Sequence, residues 1–595
     1  MSQYICNPLN LSYRYQFNKN PMGSDVSVNR EAADPSIALH NGKFYMFASM
    51  SLGVWVSEDL ANWEYKKLPN SLPLYDYAPD IRVIGEYAYF CANRPSGLGR
   101  FFCSRDILYG PYEEIETGIS FADPALFEDE DGRVYLYWGL SSSAPIWGVE
   151  LDRENLTPLG QRHELIWGDP YTKGYERVGE DNTILPCSEE ELERRLAQIK
   201  STHPAMADFA RDFMRDAPYI EGAWMNKHEG TYYLQYAAPG TQLNTYGDGV
   251  YVSDNPLGPF RLAENSPFSY KPGGFAPGAG HGSTLWDGHG NLWHAGTMRI
   301  SVHHQFERRL GLWPAGFDQD GELFCNQRYG DWPMRVEAAR MNPWAEPEWF
   351  LLSYNKPVTA SSHMEGKGPE KAADENIQTW WLAADENPGQ WLQMDLGQTF
   401  SVHAIQINFA DDKINKPIPA DSFNGSRYID EANHRTRWTL EGSLDKAAWF
   451  TIEDKSGVST DLPHDFIVRE EGFQVHYLRL TILELPYNQR ACVSGLRVFG
   501  RGTGEPPAVP AFRVERAGDT DMDVTIDGSG AVGYNILWGH APEKLYHSYM
   551  VFAAQKRIGA LVKGQPCYVR VDAFNENGVC EGKIVKLGEQ EIRRL

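Results

Sequence analysis

Four acids and a histidine stand at the head of similar segments in this 595-residue chain: Asp34, Asp80, Asp123, Glu221 and His281. Each opens a short apolar run, which leads into a glycine-containing turn and then a run of alternating aromatics, as from Asp34 to Phe47. Carboxylates gathered in a concave site with aromatic walls can hydrolyse glycosides. One carboxylic acid protonates the leaving oxygen while another group activates water or attacks carbon. Asp34, Asp123 and Glu221 are the candidates. Crowding them raises some pKa values, because like charges resist joint ionisation, and so keeps one acid protonated near neutral pH. The other use of such a cluster is metal binding by the carboxylates and His281.

The elements that must position these side chains are β-hairpins, since each segment is a β-rich run, a Gly turn and a second run of period-two aromatics. The starts are 46, 43, 98 and 60 residues apart. Repeated hairpins of this kind predict a five-bladed β-propeller, in which equivalent positions converge on one axis. The turn after the first hairpin, Ser57 to Trp63, is echoed from Cys103 and from Val252. The long gap before Glu221 holds a helical insertion near 188–216. Ser188 with Glu191 forms a capping box, Leu192, Leu196 and Ile199 follow at helical spacing, and a second helix is expected over about 205–215. This insertion reads either as a rim over the pocket or as a surface excursion.

The composition is mainly β in character: 18 Trp, 31 Tyr, 55 Gly and 37 Pro leave little room for long helices. A formal charge of −25 argues against nucleic acid or an anionic membrane as partner and favours a neutral ligand. The eight cysteines show no C-x-x-C spacing, the start has no signal-peptide pattern, and no 18-residue apolar stretch occurs, so reduced thiols in a cytoplasmic protein are expected. Residues 1–30 read as an irregular lead-in to a propeller unit of 1–340. Short strands over 350–501 predict a β-sandwich, and 508–595 a small fibronectin-III-like sandwich. Asp129 to Gly132 and Asp318 to Gly321 read as acidic hairpin turns, since they lack a calcium-loop pattern.

In order and spacing, Ala33-Asp34-Pro35-Ser36, Tyr77 to Asp80, Asp123-Pro124, Ile220-Glu221-Gly222 and Gly280-His281-Gly282 resemble glycoside hydrolase family 43, the five-bladed propeller glycosidases. The resemblance implies an inverting mechanism. Asp34 matches the general base, Glu221 the general acid, and Asp123 the residue that orients the acid and tunes its pKa. An inverting pair lies roughly 6.5–9.5 Å apart to admit water. His281 matches the family's central histidine, which faces either a cation or a hydrogen-bond partner. Arg309 resembles the pocket arginine, with Arg299 and Arg308 as rivals. Tyr77 stands where the family often has a stacking tryptophan, and Trp224 and Phe121 are adjacent aromatics, while Asp80 reads as structural. No cofactor is obligatory; Ca2+ is allowed at the propeller centre or in the second unit.

The stretch over 350–500 resembles the factor 5/8 type C, or discoidin-like, sandwich through Asn355 to Ser362, Ala372 to Trp381 and Gln390 to Gly397. In glycosidases such a unit either binds carbohydrate or buttresses the propeller. The expected function is an inverting exo-glycosidase releasing terminal α-L-arabinofuranose or β-D-xylose from plant-type oligosaccharides. The alternatives are a galactofuranosidase or galactosidase on the same scaffold, or a catalytically silent carbohydrate-binding protein.

Overall fold

A computed structural model describes the chain except for residues 1–2, 21–24, 76, 94–96, 203, 205–206, 529 and 589–595. Five antiparallel sheets follow one another along the chain, beginning with Ser36–His40, Lys43–Phe47, Gly53–Ser57 and Glu64–Lys67, and among the described residues only Leu140–Ser141 crosses from the third sheet's span to pair in the fourth. Their hairpins follow from the turn residues. Asn41 and Gly42 both take positive φ, 49° and 75°, which the tight turn between the first two strands requires. The innermost strands are Ser36–His40, Asp80–Ile84, Ala125–Glu128, Ile220–His228 and Gly280–Trp286, and each packs on the next, with the fifth returning to the first.

Polar ties between neighbouring sheets complete that cycle. The Ser36 hydroxyl donates to Asp80 at 3.2 Å, and Asp80 accepts the Leu126 N–H at 2.7 Å. Lys227 reaches Asp129 at 2.7 Å, the Trp224 indole donates to Thr284 at 3.1 Å, and Ser283 donates to the Pro35 carbonyl at 2.7 Å. Asp80 therefore serves as a buried clamp between three sheets, as its structural reading expects.

The lead-in is more regular than expected. Arg14–Lys19 and Val26–Glu31 pair antiparallel, and Arg427–Ile429, from the second unit, adds a third strand on the other side of Arg14–Lys19. Between the third and fourth sheets, α1 (Glu189–Thr202) is capped by Ser188, which accepts the Glu191 N–H at 3.3 Å, and α2 spans Ala207–Met214. The expected start of the second helix at residue 205 lies outside the described residues.

Beyond residue 350 an eight-stranded sheet is led by two long strands, Gln390–Phe409 and His464–Glu484, that bend at register shifts near Asp395 and Val402. Further on, a three-stranded and a five-stranded sheet share one apolar core with the third and fourth sheets of the ring, where Trp538 packs edge-on against Tyr270 at 5.9 Å. All eight cysteines are free thiols, and no described helix is long and apolar enough to cross a membrane.

Candidate active site

The backbone first brings the candidates together. Asp34, Asp123 and His281 all sit in the left-handed region, with φ of 54°, 49° and 46°, just where an innermost strand begins. Non-glycine residues held there carry strain and cluster at functional sites. Ala78, at φ 52°, occupies the matching place in the second sheet, so Asp80 lies two residues further along and inside its strand. That offset explains why Asp80 does not join the cluster. In the fourth and fifth sheets a bulge between Glu221 and Trp224, and another between Gly280 and Ser283, turn the backbone toward the centre.

Asp34 is buried. Its carboxylate accepts the Ser49 hydroxyl at 2.7 Å and pairs with the Arg308 guanidinium at 3.3 Å, while its N–H donates to Thr297 at 2.8 Å. Ser49 also accepts the Ala78 N–H at 2.7 Å, which fixes the hydroxyl that holds Asp34. Arg308 is itself held by Glu31 and by Thr241. Burial works against charge on Arg308, yet the adjacent Asp34 and Glu31 raise its pKa.

His281 bridges the acids: Nδ1 lies 3.4 Å from Asp34 and 3.8 Å from Asp123. Asp248, which the sequence reading passed over, accepts the His281 N–H at 2.7 Å and the Gly282 N–H at 3.0 Å and so anchors the loop. Burial alone would lower the His281 pKa, but Asp34, Asp123 and Glu221 together raise it. Asp123 accepts the Asn93 amide at 2.5 Å. Burial and the nearby Asp34 push its carboxyl up to about 6, against the pull of His281.

Glu221 is only half-buried, and it accepts the hydroxyl of the fully buried Tyr246. Desolvation and the Asp123 charge push Glu221 up to about 7, with His281 and Tyr246 opposing. Gly222 follows at φ 60°, so close to the imidazole that an added Cβ would lie 2.7 Å from it. The site therefore holds one carboxyl poised to carry a proton near neutrality beside another paired with an arginine.

Several expected contacts fall elsewhere. Arg309 turns away from Asp34: its guanidinium donates to His464 at 2.9 Å and to the Arg30 carbonyl at 2.8 Å. Consecutive strand residues face opposite sides, so Arg308 takes the place expected for Arg309. Arg299 binds Asn244 at 2.6 Å and Glu180 at 3.2 Å. Trp224 is buried beneath the Arg82 guanidinium, 3.3 Å from its ring, and Phe121 is buried against Phe101. Neither offers a free stacking face. Tyr77 is half-buried beside Phe306, their rings 5.7 Å apart. No three His, Cys, Asp or Glu side chains group as metal ligands among the described residues. Nδ1 of His281, the candidate cation ligand, is turned to the carboxylates of Asp34 and Asp123.

This geometry has relatives. Residues 25–178 and 191–323 match the model for glycosyl hydrolases family 43, and residues 357–426 match the F5/8 type C domain. The part of the chain that resembles family 43 is thus the ring of sheets. A beta-xylosidase of Xylanibacter ruminicola is 27% identical over 209 residues, 35% of this chain and 56% of that protein. A xylosidase/arabinosidase of Bacteroides ovatus is 24% identical over 274 residues, 38% of this chain and 75% of that protein. A beta-D-galactofuranosidase of Aspergillus niger is 23% identical over 265 residues, 38% of this chain and 62% of that one. This chain thus spans little more than half the length of the first of these relatives.

Proposed function

We propose that the chain is an inverting exo-glycosidase that releases a terminal pentose, α-L-arabinofuranose or β-D-xylose, from plant-type oligosaccharides. In this reading the five sheets are the blades of a β-propeller and the acids line its central depression. Glu221 donates its proton to the glycosidic oxygen as the bond from the anomeric carbon to that oxygen breaks. Asp34 takes a proton from the water whose oxygen attacks the same carbon from the opposite face, which inverts it. Asp123, fixed by Asn93, helps burial keep Glu221 protonated through its charge. The observation that carries the reading is the contrast between Glu221, raised to about 7, and Asp34, ion-paired with Arg308.

The pentose is supported by the names of two relatives, and the galactofuranosidase name of the third keeps a furanose hexose as the second reading. A panel of nitrophenyl glycosides, with product anomers followed by NMR, separates them. Hydrolysis of a pentoside with inversion is expected, and Glu221→Gln should lower turnover by several orders of magnitude on substrates with poor leaving groups. Retention of configuration, or an unimpaired Glu221→Gln, would refute these roles.

A further inference from the structure

The second unit reaches the side chains around Asp34. Arg427, on the short strand that pairs with Arg14–Lys19, places its guanidinium 4.5 Å from the centre of the Tyr77 ring. The same ring has the Arg308 guanidinium 5.6 Å from its centre and Phe306 beside it. Arg308 in turn pairs with Asp34 and Glu31, so Arg427 is one aromatic ring removed from the arginine that holds the candidate base. Asn18 fixes Arg427 by accepting its Nε–H at 2.8 Å.

What marks these side chains as a site is their unspent hydrogen bonding. The Tyr77 hydroxyl, Glu31 Oε2, Arg308 Nε and Arg427 Nη1 are each buried without a partner among the described residues. Buried polar atoms are normally paired, and leaving one unpaired costs about 1–3 kcal/mol. Arg308 and Arg427 flank the Tyr77 ring, and Glu31 joins them through its pair with Arg308, so the four atoms belong to one connected group of side chains. The set contains an acceptor on Glu31, donors on both arginines and a hydroxyl able to do either. A phosphate or carboxylate would satisfy the arginines but meet the charges of Glu31 and Asp34. Neighbouring hydroxyls of a neutral sugar, each both donor and acceptor, satisfy all four.

We infer that Arg427, Tyr77, Glu31 and Arg308 form a hydroxyl-binding cradle for the terminal sugar, with Arg427 contributed by the discoidin-like unit as a substrate-binding residue. The assignment rests on the proposed function for the identity of the sugar, and it gives the second unit a part in the pocket itself.

The test uses the full chain. Calorimetric titration with L-arabinose, D-xylose and D-galactose is compared for the wild type, Arg427→Met and Arg427→Lys, with Lys67→Ala as control. That control breaks only the exposed tie from Lys67 to Glu431, a few residues beyond Arg427. Losing one charge-assisted hydrogen bond should weaken sugar binding about 10- to 100-fold in Arg427→Met. Arg427→Lys, which keeps the charge but not the fork, should fall between, and Lys67→Ala should match the wild type. On cleaved nitrophenyl glycosides the same variants should raise KM with little change in kcat. If Arg427→Met fails to fold, Arg427→Lys decides. Folded Arg427 variants that bind within twofold of wild type overturn the cradle, as does a wild type that binds none of the three sugars. A wild type that binds sugar but cleaves no glycoside overturns the proposed function and leaves the cradle standing.

Discussion

Tyr246→Phe tests how the proton on Glu221 is held. The Tyr246 hydroxyl donates to the Glu221 carboxylate inside the protein, and this bond exists at full strength only when Glu221 is ionised. It therefore opposes the upward push of burial and Asp123 that sets Glu221 at about 7. A hydrogen bond to a charged group contributes about 1.5–3 kcal/mol, and one pKa unit corresponds to about 1.4 kcal/mol. Removing the hydroxyl alone should raise the Glu221 pKa by about one to two units. The acid must be protonated to act, so the alkaline limb of kcat/KM against pH should move up by that amount. The acid limb, set by the group that accepts a proton from water, should stay. The assay needs a substrate with a poor leaving group, such as a disaccharide, so that protonation counts. An alkaline limb that stays or moves to lower pH, in a variant with wild-type thermal unfolding, would show that Glu221 is not the proton donor.

Gly222→Ala should abolish most activity, by about 100-fold or more, while the protein still folds. The new Cβ would meet the His281 ring at 2.7 Å in a backbone held at φ 60°, and the displaced imidazole sits between Asp34 and Asp123. Steady-state kinetics beside a thermal melt distinguishes this from unfolding. Glu221→Gln should stabilise the fold at alkaline pH. A carboxyl raised from 4.5 to about 7 on folding binds more protons folded than unfolded between those values, so its contribution to stability falls as pH rises through that window. The full effect is up to about 3 kcal/mol. Denaturant titrations should therefore show the variant gaining on the wild type from pH 4 to pH 8, and equal pH dependence would argue against the raised pKa.

Much of the site could be read before any coordinates, because a repeated hairpin carries its chemistry in register. Asp34, Asp123, Glu221 and His281 head similar segments, and His281 lies 3.4 Å from Asp34 and 3.8 Å from Asp123 despite their distance in the chain. What misled was phase. Asp34-Pro35, Ala78-Pro79 and Asp123-Pro124 are the true equivalents, and aligning on acids rather than prolines placed Asp80 two positions too early. Arg308 and Arg309 differ only in which side of a strand they face, and the parity of that strand depends on how it enters the sheet. Trp224 and Phe121 were indistinguishable from pocket aromatics by type, since the Arg82 and Phe101 that cover them come from other strands. Tyr246, Asp248 and Asn93 carry no local signal beyond their polarity. Arg427 lies more than 300 residues from Tyr77, and no spacing rule could have joined them.

The three-stranded sheet of Arg14–Lys19, Val26–Glu31 and Arg427–Ile429 makes the chain awkward to divide. Excising the ring of five sheets near residue 340 would expose a bare strand edge, an invitation to aggregate. It would also strip Arg30 of both counter-ions, Asp411 at 3.1 Å and Asp461 at 2.7 Å. For a nascent polypeptide the same arrangement means that Arg14–Lys19 waits for a partner made some 400 residues later. A functional fragment must therefore extend past that late strand, or be redesigned along the seam it leaves open.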